Sequence, residues 1–302
     1  LKLAFEFLKK FLPNSSIMFS NPTWRNHPEI CRDMNTRFGY YRYYDLASKW
    51  LDFDGMIKDL QSCKPGTVVV LHMCAHNPTG VDPSIKQWQK VIETMLEYEL
   101  FPLFDAAYQG FATGDPAADA YVVREWASTG QEGIVAQSFA KNFGMYGERV
   151  GCVHFICSKS DHVDIIRSQM KRIVRTMYSN PPLHGSRIVS KILNEDKLHS
   201  LWITECNTMA RRMHDLRKQL YYGLIAKKTP GNWTHIIKQI GMFCYTGLNS
   251  KQVDMLRKEY HIYMLNSGRI NISGMNDANR DYVISAIHKV ICATSHNTLL
   301  VN

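Results

Sequence analysis

Continuous apolar, β-rich runs alternate with longer helical patterns through the first two thirds of the chain, and this alternation limits the fold more than any other feature. Residues 16–19, 67–74, 100–104, 133–138 and 150–157 read as strands. Helical stretches lie between them, notably 84–98, announced by Asp82-Pro83, and 161–178. Uninterrupted apolar strands separated by helices predict an α/β fold, a mostly parallel central sheet flanked by helices on both faces. Function is then expected in the loops at the strands' carboxyl ends. After about Leu193 the texture changes to a long polar-rich helix, 197–226, and a Thr229-Pro230-Gly231-Asn232 break. Strands at 240–246, 262–265 and 269–273 and helices at 250–260 and 278–293 complete a small C-terminal α+β domain. The expected division is a large domain over 1–208 and a small one over 209–302, joined by the long helix.

Bulk properties narrow the partners. The net charge is +9, from 36 Lys+Arg against 27 Asp+Glu, which favours anions in general. The basic residues occur as scattered short pairs such as Lys171-Arg172 and Arg211-Arg212, the pattern of solvated helix faces and not of a nucleic-acid footprint. No apolar stretch approaches the roughly 20 residues that span a bilayer, so no integral membrane association is expected. The eight cysteines form no CxxC pair and have no zinc-ligand spacing with His, so no metal is expected and buried thiols are the favoured reading. The chain begins without Met inside an amphipathic pattern, Leu1 to Leu12, so a true N-terminus and any targeting peptide are expected to precede it.

Three strand ends carry unusual polar sequences. His72-Met-Cys-Ala-His76-Asn77-Pro78-Thr79-Gly80 follows Val68–Leu71; taken alone it reads as a turn. Asp105 directly follows the apolar run 100–104 and precedes Tyr108; strand-terminal acids commonly cap a helix. Ser138-Phe-Ala-Lys141 follows the run at 133–138, with Gly147-Glu148-Arg149 beyond it. A lysine there is either a snorkelling surface group or a desolvated, nucleophilic amine.

The conjunction decides between these readings. Asn-Pro-Thr-Gly, Asp-x-x-Tyr, Ser-x-x-Lys, Arg and finally Gly268-Arg269-Ile-Asn271 follow in that order. Pro22-Thr-Trp-Arg-Asn-His27, Ala107-Tyr-Gln-Gly-Phe111, Tyr178-Ser-Asn-Pro-Pro182 and Gln239-Ile-Gly-Met-Phe243 accompany them. From Leu1 to about Ile291 the sequence resembles the class I aminotransferases of fold type I, the aspartate aminotransferases in particular. The Phe-Ala-Lys-Asn, Gly-Glu-Arg-Val-Gly and Met-Tyr-Ser-Asn-Pro-Pro wording is closest to their mitochondrial and plant-type forms.

The resemblance implies a pyridoxal 5'-phosphate cofactor and a role for each matching residue. Lys141 would form the Schiff base and shuttle a proton between Cα and C4′. Asp105 would pair with the pyridine nitrogen, and Tyr108 and Asn77 would hydrogen-bond the phenolic oxygen. Trp24 would stack on the ring, and Ser138 and Arg149 would hold the phosphate. Arg269 would clamp the substrate's α-carboxylate, with Asn77 and Trp24 beside it. Arg175 would take the distal carboxylate from the neighbouring subunit, which implies a homodimer. Two carboxylate clamps select dicarboxylic amino acids and their 2-oxo acids. The mitochondrial wording and the pI near 9.1 lean towards the matrix, with the cytoplasm as alternative.

The chain departs from the family pattern at its start. The Ser/Gly-Thr-Gly loop that would cradle the phosphate, the arm that clasps the partner and a tyrosine reaching the partner's phosphate all fall before Leu1. This piece alone is therefore expected to bind cofactor poorly and dimerise weakly. Two alternatives stand beside the enzyme: a non-catalytic fragment of it, and a relative on the same fold acting on aromatic amino acids or kynurenine.

Overall fold

In the computed structural model, which describes residues 1–296, the apolar runs form strands and pack as one sheet. The described residues contain ten strands: β1 (Ile17–Asn21), β2 (Phe38–Arg42), β3 (Tyr44–Asp45), β4 (Trp50–Leu51), β5 (Val68–His72), β6 (Phe101–Ala106), β7 (Gly133–Ser138), β8 (Gly151–Ile156), β9 (Phe243–Tyr245) and β10 (Arg269–Asn271). The central sheet runs β2-β1-β5-β6-β7-β8. Its pairings are parallel except the last, where β8 lies antiparallel to β7 at the edge.

Alternation along each strand builds two cores. Val68, Val70, Leu103, Ile134 and Ala136 turn towards Ala4, Phe5 and Leu8 of the helix Lys2–Phe11. Val69, Leu71, Phe104, Ala106 and Val135 turn the other way, towards Met56, Leu60, Trp88, Val91, Met95 and Trp126 on the helices Phe53–Gln61, Ile85–Glu97 and Tyr121–Ser128. Every residue of β5 is buried, as a central strand covered on both faces requires. Ser84 starts Ile85–Glu97 with a capping box, its hydroxyl accepting from Gln87 N–H and the Gln87 side chain returning to Ser84 N–H.

A third core gathers the C-terminal part of the chain. Leu216, Leu220 and Leu224 of the helix Asp196–Ala226 meet Trp233, Ile236, Val253, Leu256, Ile284, Ile287 and Val290. The antiparallel pair β9–β10 sits among these helices, with Arg269 opposite Tyr245.

Two expectations need correction, and two elements were not anticipated. Residues 262–265 form no strand: His261 ends the preceding helix in the left-handed conformation, and Tyr263 and Leu265 then face solvent at 77% and 51% exposure, without a ladder partner. The sequence reading also omitted β2, a sheet edge in which Tyr41 alone is buried, and the helix His184–Asn194. Cys31, Cys74, Cys206 and Cys244 are buried thiols as expected, but Cys152 is exposed on β8.

Candidate active site

The register of the sheet places its polar strand ends side by side. His72, at the end of β5, pairs with Asp105 of β6, and Asp105 with Ala136 of β7. A cavity of about 790 Å³ opens over these ends. Trp24, Asn77, Asp105, Tyr108, Ser138, Lys141, Arg149 and Arg269 all line it. Eight residues chosen from five separated stretches of sequence thus share one space.

The loop after β5 is held in shape from beneath. Asp82 accepts from the backbone N–H groups of Ala75 (2.6 Å) and His76 (2.9 Å). Gly80 has φ +64° and lies so close to residue 240 that a Cβ would stand 2.8 Å from the Ile240 oxygen. Only glycine satisfies both demands. This loop presents Asn77, 3% exposed, to the cavity.

Asn77 and Arg269 bridge two distant parts of the chain. Arg269 Nη1 donates to Asn77 Oδ1 at 2.7 Å, and Asn77 Nδ2 donates to the Tyr108 hydroxyl at 3.3 Å. The Arg269 guanidinium lies over the Phe243 ring, 4.1 Å from its centre, a cation–π contact that orients the fork. Burial lowers its pKa, opposed by Tyr108. The Lys141 amine stands 4.9 Å over the Tyr108 ring. Its pKa is lowered, by burial first and by Arg149 as well, against the pull of Asp105. The snorkelling alternative is thereby excluded: this lysine is half-buried within a cavity, not splayed on the surface.

Behind Asp105 lies a hydrogen-bond relay whose protons can be assigned from donor and acceptor capacity. Asn77 N–H donates to His72 Nδ1 (3.3 Å), so the His72 proton sits on Nε2 and points to Thr23 Oγ1 (3.3 Å). Thr23 can then donate to His27 Nδ1 (2.8 Å), and His27 Nε2–H donates to Asp105 Oδ2 (2.9 Å). Burial, the largest single influence, would push the Asp105 carboxyl up; the hydrogen bond from His27 and the nearby His27, His72 and N-terminal charges together outweigh it, and the group sits below the usual carboxylate value. Asp105 is therefore an ionised acid at the cavity floor, not a helix cap.

Arg175 stands apart. It is exposed on the helix His162–Tyr178, donates to Ser179 Oγ and does not line the cavity of its own chain. Arg149 is exposed at the cavity edge, donating to the Tyr146 carbonyl at 2.8 Å. Thr23, His27 and His72 were assigned no role from sequence. Each is an ordinary polar residue in the sequence, and only the fold brings the three together.

The buried histidines make the fold acid-labile. His72 is lowered to about 3, His235 to about 4 and His76 well below its ordinary value, each mainly by burial. Their folded pKa values lie below the unfolded one, so stability is lost as pH falls from about 6.5, where the unfolded chain takes up protons the fold refuses. Half-buried Asp82, raised to about 6, and buried Asp119, also raised, oppose this by holding protons in the fold. The histidines outnumber the carboxyls that oppose them, so net stability is lost on acidification. Urea unfolding at pH 6.0 and 4.5 is expected to show a lower stability at the lower pH. An unchanged or higher value at pH 4.5 would contradict the assignment of neutral histidines.

Residues 1–287 match the family described as aminotransferase class I and II. The chain belongs to that family. Among its aminotransferase relatives is the cytoplasmic aspartate aminotransferase of Dictyostelium discoideum, 45% identical over 97% of this chain and 67% of that one. The mitochondrial aspartate aminotransferase of Schizosaccharomyces pombe is 46% identical over 95% of this chain and 66% of its own length. A solved aromatic-amino-acid aminotransferase of Burkholderia pseudomallei, covalently bound to pyridoxal phosphate, superposes with a TM-score of 0.93 at 40% identity, covering 96% of this chain and 72% of that one. The chain thus spans about two thirds of the length of these curated aminotransferases. Among its described residues, no helix is long and apolar enough to cross a membrane.

Proposed function

We propose that the chain is a pyridoxal-phosphate-dependent aspartate aminotransferase, moving an amino group reversibly between L-aspartate and 2-oxoglutarate to give oxaloacetate and L-glutamate. One observation carries the reading: a desolvated amine, Lys141, shares a cavity with an ionised carboxylate, Asp105, and with a half-buried guanidinium, Arg269.

The donor set suits the cofactor. Lys141 would meet the aldehyde, Asp105 the pyridine nitrogen, Tyr108 and Asn77 the ring hydroxyl, and Ser138 with Arg149 the phosphate, all of them lining the cavity. Trp24 lines it too and would offer an indole face to the ring. When bound, pyridoxal phosphate supplies a carbonyl that takes up the amino group and a ring that draws electrons from Cα. The chain's own groups do the rest. Asp105, fixed by His27, holds a proton on the facing nitrogen. Lys141, its pKa lowered, would take the proton from Cα and return it at C4′, two bonds away. Arg269, oriented by Asn77 and Phe243, binds the α-carboxylate through its planar fork. Asn77 joins the two tasks, since it touches both Arg269 and Tyr108.

Substrate choice is assigned to Arg175. Its exposure on its own subunit and its absence from its own cavity support a role in a partner's cavity, where in this reading it takes the distal carboxylate within a homodimer. Replacing Arg175 by leucine is expected to remove the preference for aspartate over phenylalanine, read as the ratio of kcat/KM values. A retained preference would favour a substrate clamp elsewhere. A substrate preference like that named for the Burkholderia enzyme is the second reading, and this ratio separates the two. We assign the protein to the mitochondrial matrix on its wording and basic pI; relatives of both mitochondrial and cytoplasmic kinds match it. The division at residue 208 into a cofactor-binding part and a smaller C-terminal part belongs to the same reading.

An absorption spectrum of the purified chain with pyridoxal phosphate tests the whole. With cofactor in large excess over its expected weak binding, the result is a pH-sensitive visible band, bleached by aspartate, with borohydride fixing the label on Lys141. Absence of the band, or scattered lysine labelling, would mean that this chain is the non-catalytic fragment.

A further inference from the structure

Arg269 sits on a strand with one ladder partner. β9 and β10 have three residues each and form a two-stranded sheet of their own, and a two-stranded ribbon by itself is marginal in water. Arg269 faces Tyr245 in their register. The outer backbone edge of Tyr245 meets the side chain of Gln239, which is 0% exposed. Gln239 Oε1 accepts from Tyr245 N–H and Gln239 Nε2 donates to the Tyr245 carbonyl, both at 2.9 Å, so one amide takes the place of a third strand. The following backbone N–H, that of Ile240, donates to the Gly80 carbonyl at 2.8 Å, in the loop that presents Asn77. Thr246, 1% exposed, secures the other strand. Its hydroxyl donates to the Gly268 carbonyl at 2.7 Å, and its own carbonyl accepts from His235 Nε2 at 3.0 Å. Gly268 directly precedes Arg269, and with φ +81° it passes so close that a Cβ would stand 2.7 Å from the Leu248 oxygen.

We propose that Gln239 and Thr246 are positioning residues for Arg269. Neither lines the cavity over the strand ends. Gln239 fixes the strand opposite Arg269 and ties it to the loop of Asn77, to which Arg269 donates. Thr246 fixes the peptide carbonyl that leads into Arg269. Between them the guanidinium is set over the Phe243 ring and against Asn77, in the attitude in which it would receive the α-carboxylate. The inference rests on that reading of Arg269. A misplacement of about 1 Å at such a group can cost about 10²-fold in rate.

The test follows the side-chain Nε–H signal of Arg269 in the full chain labelled with nitrogen-15 arginine, identified by its absence from Arg269→Lys. The Phe243 ring beneath the guanidinium should displace this signal upfield. Gln239→Met and Thr246→Val, both close to the native shape, should each move it towards the position of free arginine. With pyridoxal phosphate in excess, the same variants should raise KM for aspartate about tenfold and leave kcat within about threefold, because an anchor used throughout the reaction has slipped. Residues that only pack would lower the unfolding midpoint and leave both the Arg269 signal and KM in place, and that result would overturn the proposal. Thr246→Val decides if Gln239→Met folds poorly. A wild-type chain inactive on aspartate would count against the aminotransferase reading, whereas the Arg269 signal, which needs no cofactor, would still decide this inference.

Discussion

Replacing Lys141 by alanine is expected to lower the rate of amino transfer by about 10⁴-fold, the upper end of what a positioned proton-transfer group contributes. The amine is half-buried above Tyr108 and no other lysine except Lys2 lines the cavity. Lys2 is committed to Asp33 at 2.8 Å and Glu6 at 3.3 Å, and its pKa is raised, so it cannot substitute as a base near neutral pH. Steady-state oxaloacetate production measures the effect, and an unchanged circular dichroism spectrum would show that the fold survives. A loss below about tenfold would move the proton transfer to another group.

Asp105→Asn should cost about 10²- to 10³-fold in kcat, the range observed when one preorganised electrostatic contact is removed. The change preserves shape, and an amide oxygen can still accept from His27 Nε2. What disappears is the negative charge that retains a proton on the ring nitrogen. KM should move far less than kcat, because neither carboxylate anchor on the substrate is altered. Near-normal turnover would show that the relay from Asn77 through His72, Thr23 and His27 serves packing alone.

Much of this site was legible because strand ends advertise themselves. Asp105 after 100–104, and Lys141 after 133–138, break apolar runs at the point where a parallel sheet opens to ligand. The relay was not legible. It depends on His72 and Asp105 being register partners and on Thr23 lying within reach of two rings, and neither fact leaves a periodicity. The edge strand β2 was missed because Phe38 and Gly39 are only partly buried, Tyr40 and Arg42 exposed, so no alternation marks it. Residues 262–265 erred in the opposite direction: Ile262, Tyr263, Met264 and Leu265 look β-prone, but β-propensity describes fit to a sheet, and among the described residues no strand forms a ladder with them.

Arg269 reaches Asn77 across 192 positions of sequence, and this has a consequence for how the protein is made. During synthesis, every proposed cofactor contact has left the ribosome once residue 149 and the following exit-tunnel length are translated. The anchor for the substrate carboxylate follows roughly 6 to 24 s later at ordinary elongation rates. For that interval a nascent chain has its cofactor side but no Arg269 to close over it, so the first molecule it can recruit is the cofactor and not the amino acid.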